Sequence, residues 1–171
     1  DEVVRIQELS EQATVDPLTK LDNRGGWDRA IKKLGEGIYR GDAKPFITII
    51  MLDLNGLKEI NDTEGHATGD RYIVGVSRLL QSTFRPTDEL ARWGGDEFAI
   101  LMESDEDPSE KIQKRLETIS DPTLRFSAGI YTIPTQLLYE EARDNHLFGS
   151  HISDSIRIVL NEKVQLADKL M

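Results

Sequence analysis

The sequence predicts a mixed α/β domain, on three observations. The run FITIIMLDL at 46–54 is apolar on both faces, as a strand covered by helices on each side must be. Two longer stretches, 27–39 and 69–84, carry apolar residues at helical spacing. ELARW and DEFAILM read as strands joined by Gly94-Gly95, which makes part of the sheet an antiparallel hairpin.

The elements follow in order. Residues 1–14, DEVVRIQELSEQAT, place Val3 or Val4, Ile6, Leu9 and Ala13 at helical spacing and open in mid-pattern without a cap. They read as the end of a longer helix from an upstream linker, with residues 15–171 as the domain itself. DPLTKLDNRGGW is a polar turn segment. The first domain helix, Trp27 to Tyr39, turns Trp27, Ala30, Ile31, Leu34 and Ile38 inward, and GDAKP ends it. After the 46–54 strand, GLKEINDTEGHATGD is a helical turn and loop. A helix from Gly69 to Phe84 then buries Tyr72, Ile73, Val76, Leu79 and Leu80. Two glycines between strands predict a type I′ turn, which needs positive φ at both central positions. Ser109 is placed to cap a helix through Ile119. RFSAGIYTI at 125–133 is a further strand. Beyond it, the helical patches QLLYEEA and SIRIVLNEKVQLADKLM flank the polar segment RDNHLFGSH.

The formal charge of −10 argues against a DNA or RNA ligand, because polymer binding needs a basic face to displace counterions. An acidic chain can still bind a nucleotide if metal ions neutralise the phosphates. The absence of cysteine removes disulfides, thiolate zinc sites and cysteine nucleophiles. No apolar run approaches the roughly 18 residues of a membrane span, and no signal-peptide pattern is present.

Asp53 ends the buried strand, and Asp96 and Glu97 stand at the mouth of the hairpin. If the two elements are neighbours in one sheet, three carboxylates from distant positions meet at one edge. Acids often flank turns, so Asp96 and Glu97 alone say little. Asp53 carries more weight, since a carboxylate in line with Ile47, Ile49 and Met51 is costly unless paired or metal-bound. Hard oxygen ligands suit Mg²⁺, which is usually completed by waters and substrate phosphates. Two such ions about 4 Å apart support phosphoryl transfer. Glycine at 94 and 95 would also let a phosphate approach the backbone. Competing motifs fail. DLNGLK has Leu57 and Lys58 where an EF-hand needs a ligand and a glycine. There is no GxxxxGK[ST], GEGIYRG misses GxGxxG, and His66, His146 and His151 lack metal-ligand spacing.

Three blocks in this order resemble the GGDEF domains of bacterial diguanylate cyclases: DPLTKLDNR (16–24), DLNGLKEINDTEGH with GD (53–66, 69–70) and RWGGDEF (92–98). The resemblance covers residues 14 to 133. It implies a central, mostly antiparallel sheet flanked by helices, like nucleotidyl cyclases and polymerase palm domains. It also implies condensation of two GTP into cyclic di-GMP with release of two pyrophosphates. Each domain would use Mg²⁺ or Mn²⁺, and a homodimer would bring two GTP face to face. A cytoplasmic location and an upstream sensory domain follow from the same likeness, and through such a domain a full-length protein can be membrane-tethered.

Position by position, Asp53 and Asp96 resemble the metal-binding carboxylates, assisted by the Leu54 carbonyl. Glu97 resembles the acid that activates the 3′-hydroxyl or holds the second metal. Asn61 and Asp70 match the guanine readers: a carboxylate accepts from guanine N1–H and N2–H, and an amide pairs with O6 or N3. Lys58 resembles a phosphate contact, and Gly94 and Gly95 the turn of close approach. Arg85 and Asp88, in RPTD, resemble the RxxD site at which such enzymes bind their own product, where arginine clamps phosphate and stacks on guanine. His66 reads as a structural loop residue and Phe98 as core. Plain alternatives are a solvated Lys58, a loop cap at Asn61, an acid in a helix's first turn at Asp70 and a surface ion pair at Arg85–Asp88. One departure stands out. A long segment separates FSAGIYTI from LADKLM, which reads as the start of the family's final helix. The family's phosphate-binding lysine would then lie beyond Met171, so the chain is expected to be truncated. The competing functional reading is a catalytically inactive domain serving as a GTP or cyclic di-GMP receptor. Intact Asp53, Asp96 and Glu97 argue against it.

Overall fold

The structure, a computed structural model, describes residues 2, 14–120, 124–145 and 151–171. The helix read over 1–14 therefore lies almost wholly outside the described residues. Four strands form one sheet: β1 (Phe46–Leu54), β2 (Glu89–Arg92), β3 (Glu97–Ser104) and β4 (Phe126–Pro134). Their order is β2-β3-β1-β4, and every neighbouring pair is antiparallel. Among the described residues six helices surround it: α1 (Arg24–Arg40), α2 (Leu57–Glu64), α3 (His66–Thr83), α4 (Ser109–Ile119), α5 (Thr135–Asp144) and α6 (Ile152–Lys169). The sheet flanked by helices is the architecture expected.

The period of two in β1 divides the interior into two cores. Ile47, Ile49 and Met51 face α1 and α6, with Trp27, Ile31, Leu160 and Val164. Ile50, Leu52 and Leu54 face α3 and α4, with Ile73, Leu80, Ile112 and Leu116. Seven of the nine β1 residues are buried, as expected of a strand covered on both sides. The same alternation puts Asp53 on the α1–α6 face, one step past Met51.

Helix boundaries follow local chemistry. Asn23 caps α1, its side-chain oxygen accepting from the amides of Gly25 and Gly26, so this helix begins three residues before Trp27. Gly41 in the left-handed region closes it. Gly65, with φ 88° and ψ 161°, ends α2 and starts α3, and few residues other than glycine reach that conformation. Ser109 is not the cap of α4. The Asp107 carboxylate accepts from both the Ser109 amide at 2.9 Å and its hydroxyl at 2.6 Å.

Two expectations need correction near the site. Arg92 and Glu97 bound a four-residue connection, closed by the Trp93 amide donating to the Glu97 carbonyl at 2.8 Å. Neither Gly94 nor Gly95 has positive φ, so this is no two-residue type I′ turn. What Gly94 leaves is space for the Glu97 carboxylate, since a Cβ there would lie 2.6 Å from Glu97 Oε2. Second, LADKLM does not start a helix. It ends α6, an 18-residue helix that packs on α1, α5, β1 and β4. A Cβ on Gly129 of β4 would overlap the Ala167 carbonyl oxygen, so glycine there allows the end of α6 to settle onto the sheet. No helix among the described residues is long and apolar enough to cross a membrane.

Candidate active site

The β1–β3 register sets Asp53 directly opposite Glu97, and the β1–β4 register sets Asp53 opposite Ser127. Glu97, Asp53 and Ser127 thus form a row across the edge of the sheet on its α1–α6 face. Asp96 is tied to the same edge, because its carbonyl accepts from the Leu54 amide at 2.8 Å. The four residues expected at the metal site, Asp53, Leu54, Asp96 and Glu97, are therefore neighbours.

The electrostatics of this row are unfavourable to an empty, fully ionised site. Burial raises the Asp53 carboxyl above the usual aspartate range, and the charges of Asp96 and Asp168 raise it further. Glu97 is raised by burial first, then by Asp96, Asp168 and Asp53, with Arg24 offsetting part of the effect. Asp53 Oδ1 is buried and has no hydrogen-bond partner among the described residues. A buried carboxylate oxygen left unpaired among like charges is the chemistry that a hard divalent cation satisfies. No three acidic or histidine side chains among the described residues form a ready-made metal cage. Asp53, Asp96 and Glu97, with the Leu54 carbonyl, could hold such an ion only as part of a set completed by other oxygens.

Asp168 was not singled out in the sequence, because LADKLM read as the start of a helix rather than an end lying against the carboxylates. The arginines that shape the signature loop were also missed. Arg92 donates to the Gly95 carbonyl at 2.9 Å and pairs with Asp16 at 3.2 Å, both side chains being largely buried. Burial alone would raise the Asp16 carboxyl, yet the Thr19 hydroxyl and amide together with Arg92 hold it below the usual range. Arg24 donates to the Trp93 carbonyl at 3.2 Å, and its guanidinium lies 4.6 Å from the Trp93 ring centroid. Trp27 meets the other ring edge-on at 5.6 Å. The opening block DPLTKLDNR is thus the brace of the RWGGDEF loop, and the sequential separation of 16 from 92 hid that link. No Cβ on Gly95 would meet an atom within 4 Å, so space above it is open.

Asn61 sits in the last turn of α2 and Asp70 in the first turns of α3, folded back on each other around Gly65. Asp70 and Lys58 are exposed, and neither makes a side-chain hydrogen bond or ion pair with another described residue. Arg85 and Asp88 belong to a different place, the turn before β2, at the opposite end of that strand from the signature loop. The Asp88 carboxylate is buried and accepts from the Arg85 amide at 2.8 Å, closing the turn, while the Arg85 side chain is exposed. Arg115 of α4 adds a second positive charge beside Asp88 and donates to the Thr83 carbonyl at 3.2 Å.

Comparison with known proteins gives the family of this fold. The family model for the diguanylate cyclase GGDEF domain matches residues 13–141. The chain belongs to the GGDEF family. Among curated relatives, it is 35% identical over 132 residues to the bifunctional diguanylate cyclase/cyclic di-GMP phosphodiesterase MucR of Pseudomonas aeruginosa, covering 72% of this chain and 19% of that protein. It is 27% identical over 150 residues to diguanylate cyclase DgcS of Shewanella oneidensis, covering 81% of this chain and 50% of that one. This GGDEF chain therefore spans half or less of these curated relatives. A solved microbial GGDEF domain, described in its interaction with cyclic di-GMP, superposes with a TM-score of 0.63 at 32% identity, covering 80% of this chain and 89% of the other.

The raised Asp53 and Glu97 carboxyls fix the sign of a pH effect. The folded state holds their protons more tightly than the unfolded chain does. Their stabilising contribution is complete below the ordinary carboxylate values of 3.8 and 4.5, and is lost as pH climbs through the raised folded values. Asp53→Asn removes one member of the row and relaxes the other. In buffer stripped of divalent cations, its melting temperature relative to wild type should therefore rise between acidic and neutral pH. A difference that stays flat or shrinks over that range would show the row is not strained by its charge.

Proposed function

We propose that this GGDEF domain is a diguanylate cyclase, condensing two GTP into cyclic di-GMP at the interface of a homodimer. The observation that carries the reading is the buried, unpartnered Asp53 oxygen in a row with Glu97 and beside Asp96, under a loop whose glycine leaves open space. A nucleotide-binding domain without turnover has little reason to keep so strained a set.

In this reading Asp53, Asp96 and the Leu54 carbonyl hold Mg²⁺ or Mn²⁺, which when bound neutralises charge on the triphosphate. Asn61 and Asp70 take the guanine base, with Asp70 rejecting adenine because adenine has no N1–H to give. Lys58 contacts phosphate. Gly95 leaves room for the triphosphate against the loop that Arg92 and Arg24 brace. The 3′-hydroxyl oxygen of each GTP forms a bond to the α-phosphorus of the other, the bond to the β-phosphate oxygen breaks, and pyrophosphate leaves. Glu97 receives the hydroxyl proton. Two such displacements close the ring and release two pyrophosphates. One domain holds one GTP, so two domains must face each other for the atoms to meet. An upstream sensory domain would set that encounter.

Product inhibition is assigned to the turn at Arg85. Its exposed guanidinium is free to clamp phosphate and stack on guanine, while Asp88 serves chiefly to hold the turn closed.

Incubation of the dimeric, full-length protein with GTP and Mg²⁺ should yield cyclic di-GMP. Asp96→Asn should lower turnover by orders of magnitude while the circular dichroism spectrum stays that of wild type; retained turnover would refute the metal assignment. Binding of GTP or cyclic di-GMP with no product from wild type would instead identify a receptor. For the inhibitory turn, Arg85→Ala should raise the cyclic di-GMP concentration needed for half-inhibition about tenfold or more, with the initial rate kept. An unchanged inhibition curve removes Arg85 from that role.

A further inference from the structure

Gly69 is buried in the first turn of α3 and has ordinary helical backbone, so no left-handed conformation demands glycine there. Alanine would be the better helix former by about 1 kcal/mol. What glycine provides is space. A Cβ at this position would overlap Asn61 Oδ1 and stand 2.9 Å from Asn61 Cγ and 3.4 Å from Leu57 Cδ1. The Asn61 carboxamide thus rests in the gap that the missing side chain leaves. It makes no side-chain hydrogen bond to another described residue, so packing alone holds it. Its donors and its acceptor oxygen are committed to no other described residue.

We propose that Gly69 is a specificity-positioning residue, whose bare Cα seats the Asn61 carboxamide in register with Asp70 for reading the purine base. This rests on the assignment of Asn61 and Asp70 to guanine made above. The relief of any added methyl is predictable. The overlapping atom is the tip of a flexible side chain, whereas the helix backbone is fixed, so Asn61 rotates away and the fold persists. The α2–α3 corner makes this matter. Gly65 fixes how the two helices meet, and Gly69 then fixes where on that corner the amide lies. An amide swung off its seat leaves one edge of guanine without its partner, while Asp70 still accepts from the other.

The test compares wild type, Gly69→Ala, Asn61→Ala and the double variant in the intact protein, with binding of GTP and of ATP measured by calorimetry beside thermal melting. Gly69→Ala should melt at or above wild type. Its affinity for GTP should fall about tenfold, its preference for GTP over ATP should narrow, and both effects should match those of Asn61→Ala. In the Asn61→Ala background, Gly69→Ala should change GTP binding no further, because the displaced group is already gone. If Asn61→Ala weakens GTP and Gly69→Ala does not, the positioning role is wrong while the base-reading assignment stands. Additive losses would likewise overturn it, showing that Gly69 acts apart from Asn61. Wild-type GTP binding by Asn61→Ala would sink the underlying assignment together with the inference. Should Gly69→Ala fold poorly alone, the double variant still decides: recovery of melting locates the collision at Asn61, and no recovery refutes it.

Discussion

Two carboxylates placed directly opposite each other in adjacent antiparallel strands constrain everything around them. Like charges in that relation are destabilising, and the charges of Asp96 and Asp168 add to the repulsion of the Asp53–Glu97 pair. Among the described residues, Arg24 alone offsets part of this at Glu97. Surrounding apolar packing must therefore hold the row in place against its own repulsion. The two cores on either face of β1 do so, with Trp27, Ile49 and Ile50 essentially inaccessible to water. The end of α6 reaches the row because Gly129 leaves room for it.

The same logic explains the loop over the row. A glycine pair is mobile by nature, and this one is held. The Arg92 and Arg24 side chains each take one loop carbonyl, and Asp16 fixes Arg92 in turn. The pair is largely but not fully buried, and Asp16 acts on the loop through Arg92. Glycine then acts through space rather than flexibility. At 94 it admits the Glu97 side chain, at 69 the Asn61 amide and at 129 a helix end.

Much of this was legible in the sequence, and the failures share a cause. The β1 strand was read to its residue, because seven apolar or β-branched positions in a row, 46–52, leave little choice. The three family blocks located Asp53, Asp96, Glu97, Asn61 and Asp70. Local rules misled where a distant group decides. Two glycines between strands suggest a type I′ turn, yet Glu97 and the two arginines impose a wider loop. Ser109 looks like a cap, yet it is the first residue of the helix and its amide donates to the Asp107 carboxylate. LADKLM resembles a helix start, yet α6 begins at Ile152 and brings Asp168 to the row from its other end. The RxxD spacing was readable, but not that Asp88 is turned inward to its own backbone.

Because no three side chains among the described residues form a ready-made cage, a cation and a triphosphate should each complete the site for the other. The most direct measurement is the melting temperature of the metal-stripped protein with Mg²⁺ alone, with a non-reacting GTP analogue alone, and with both. Stabilisation by the two together should exceed the sum of their separate effects, and Asp53→Asn should abolish that excess. If Mg²⁺ adds nothing to the stabilisation given by the analogue, the carboxylate row does not hold the cation and the account fails.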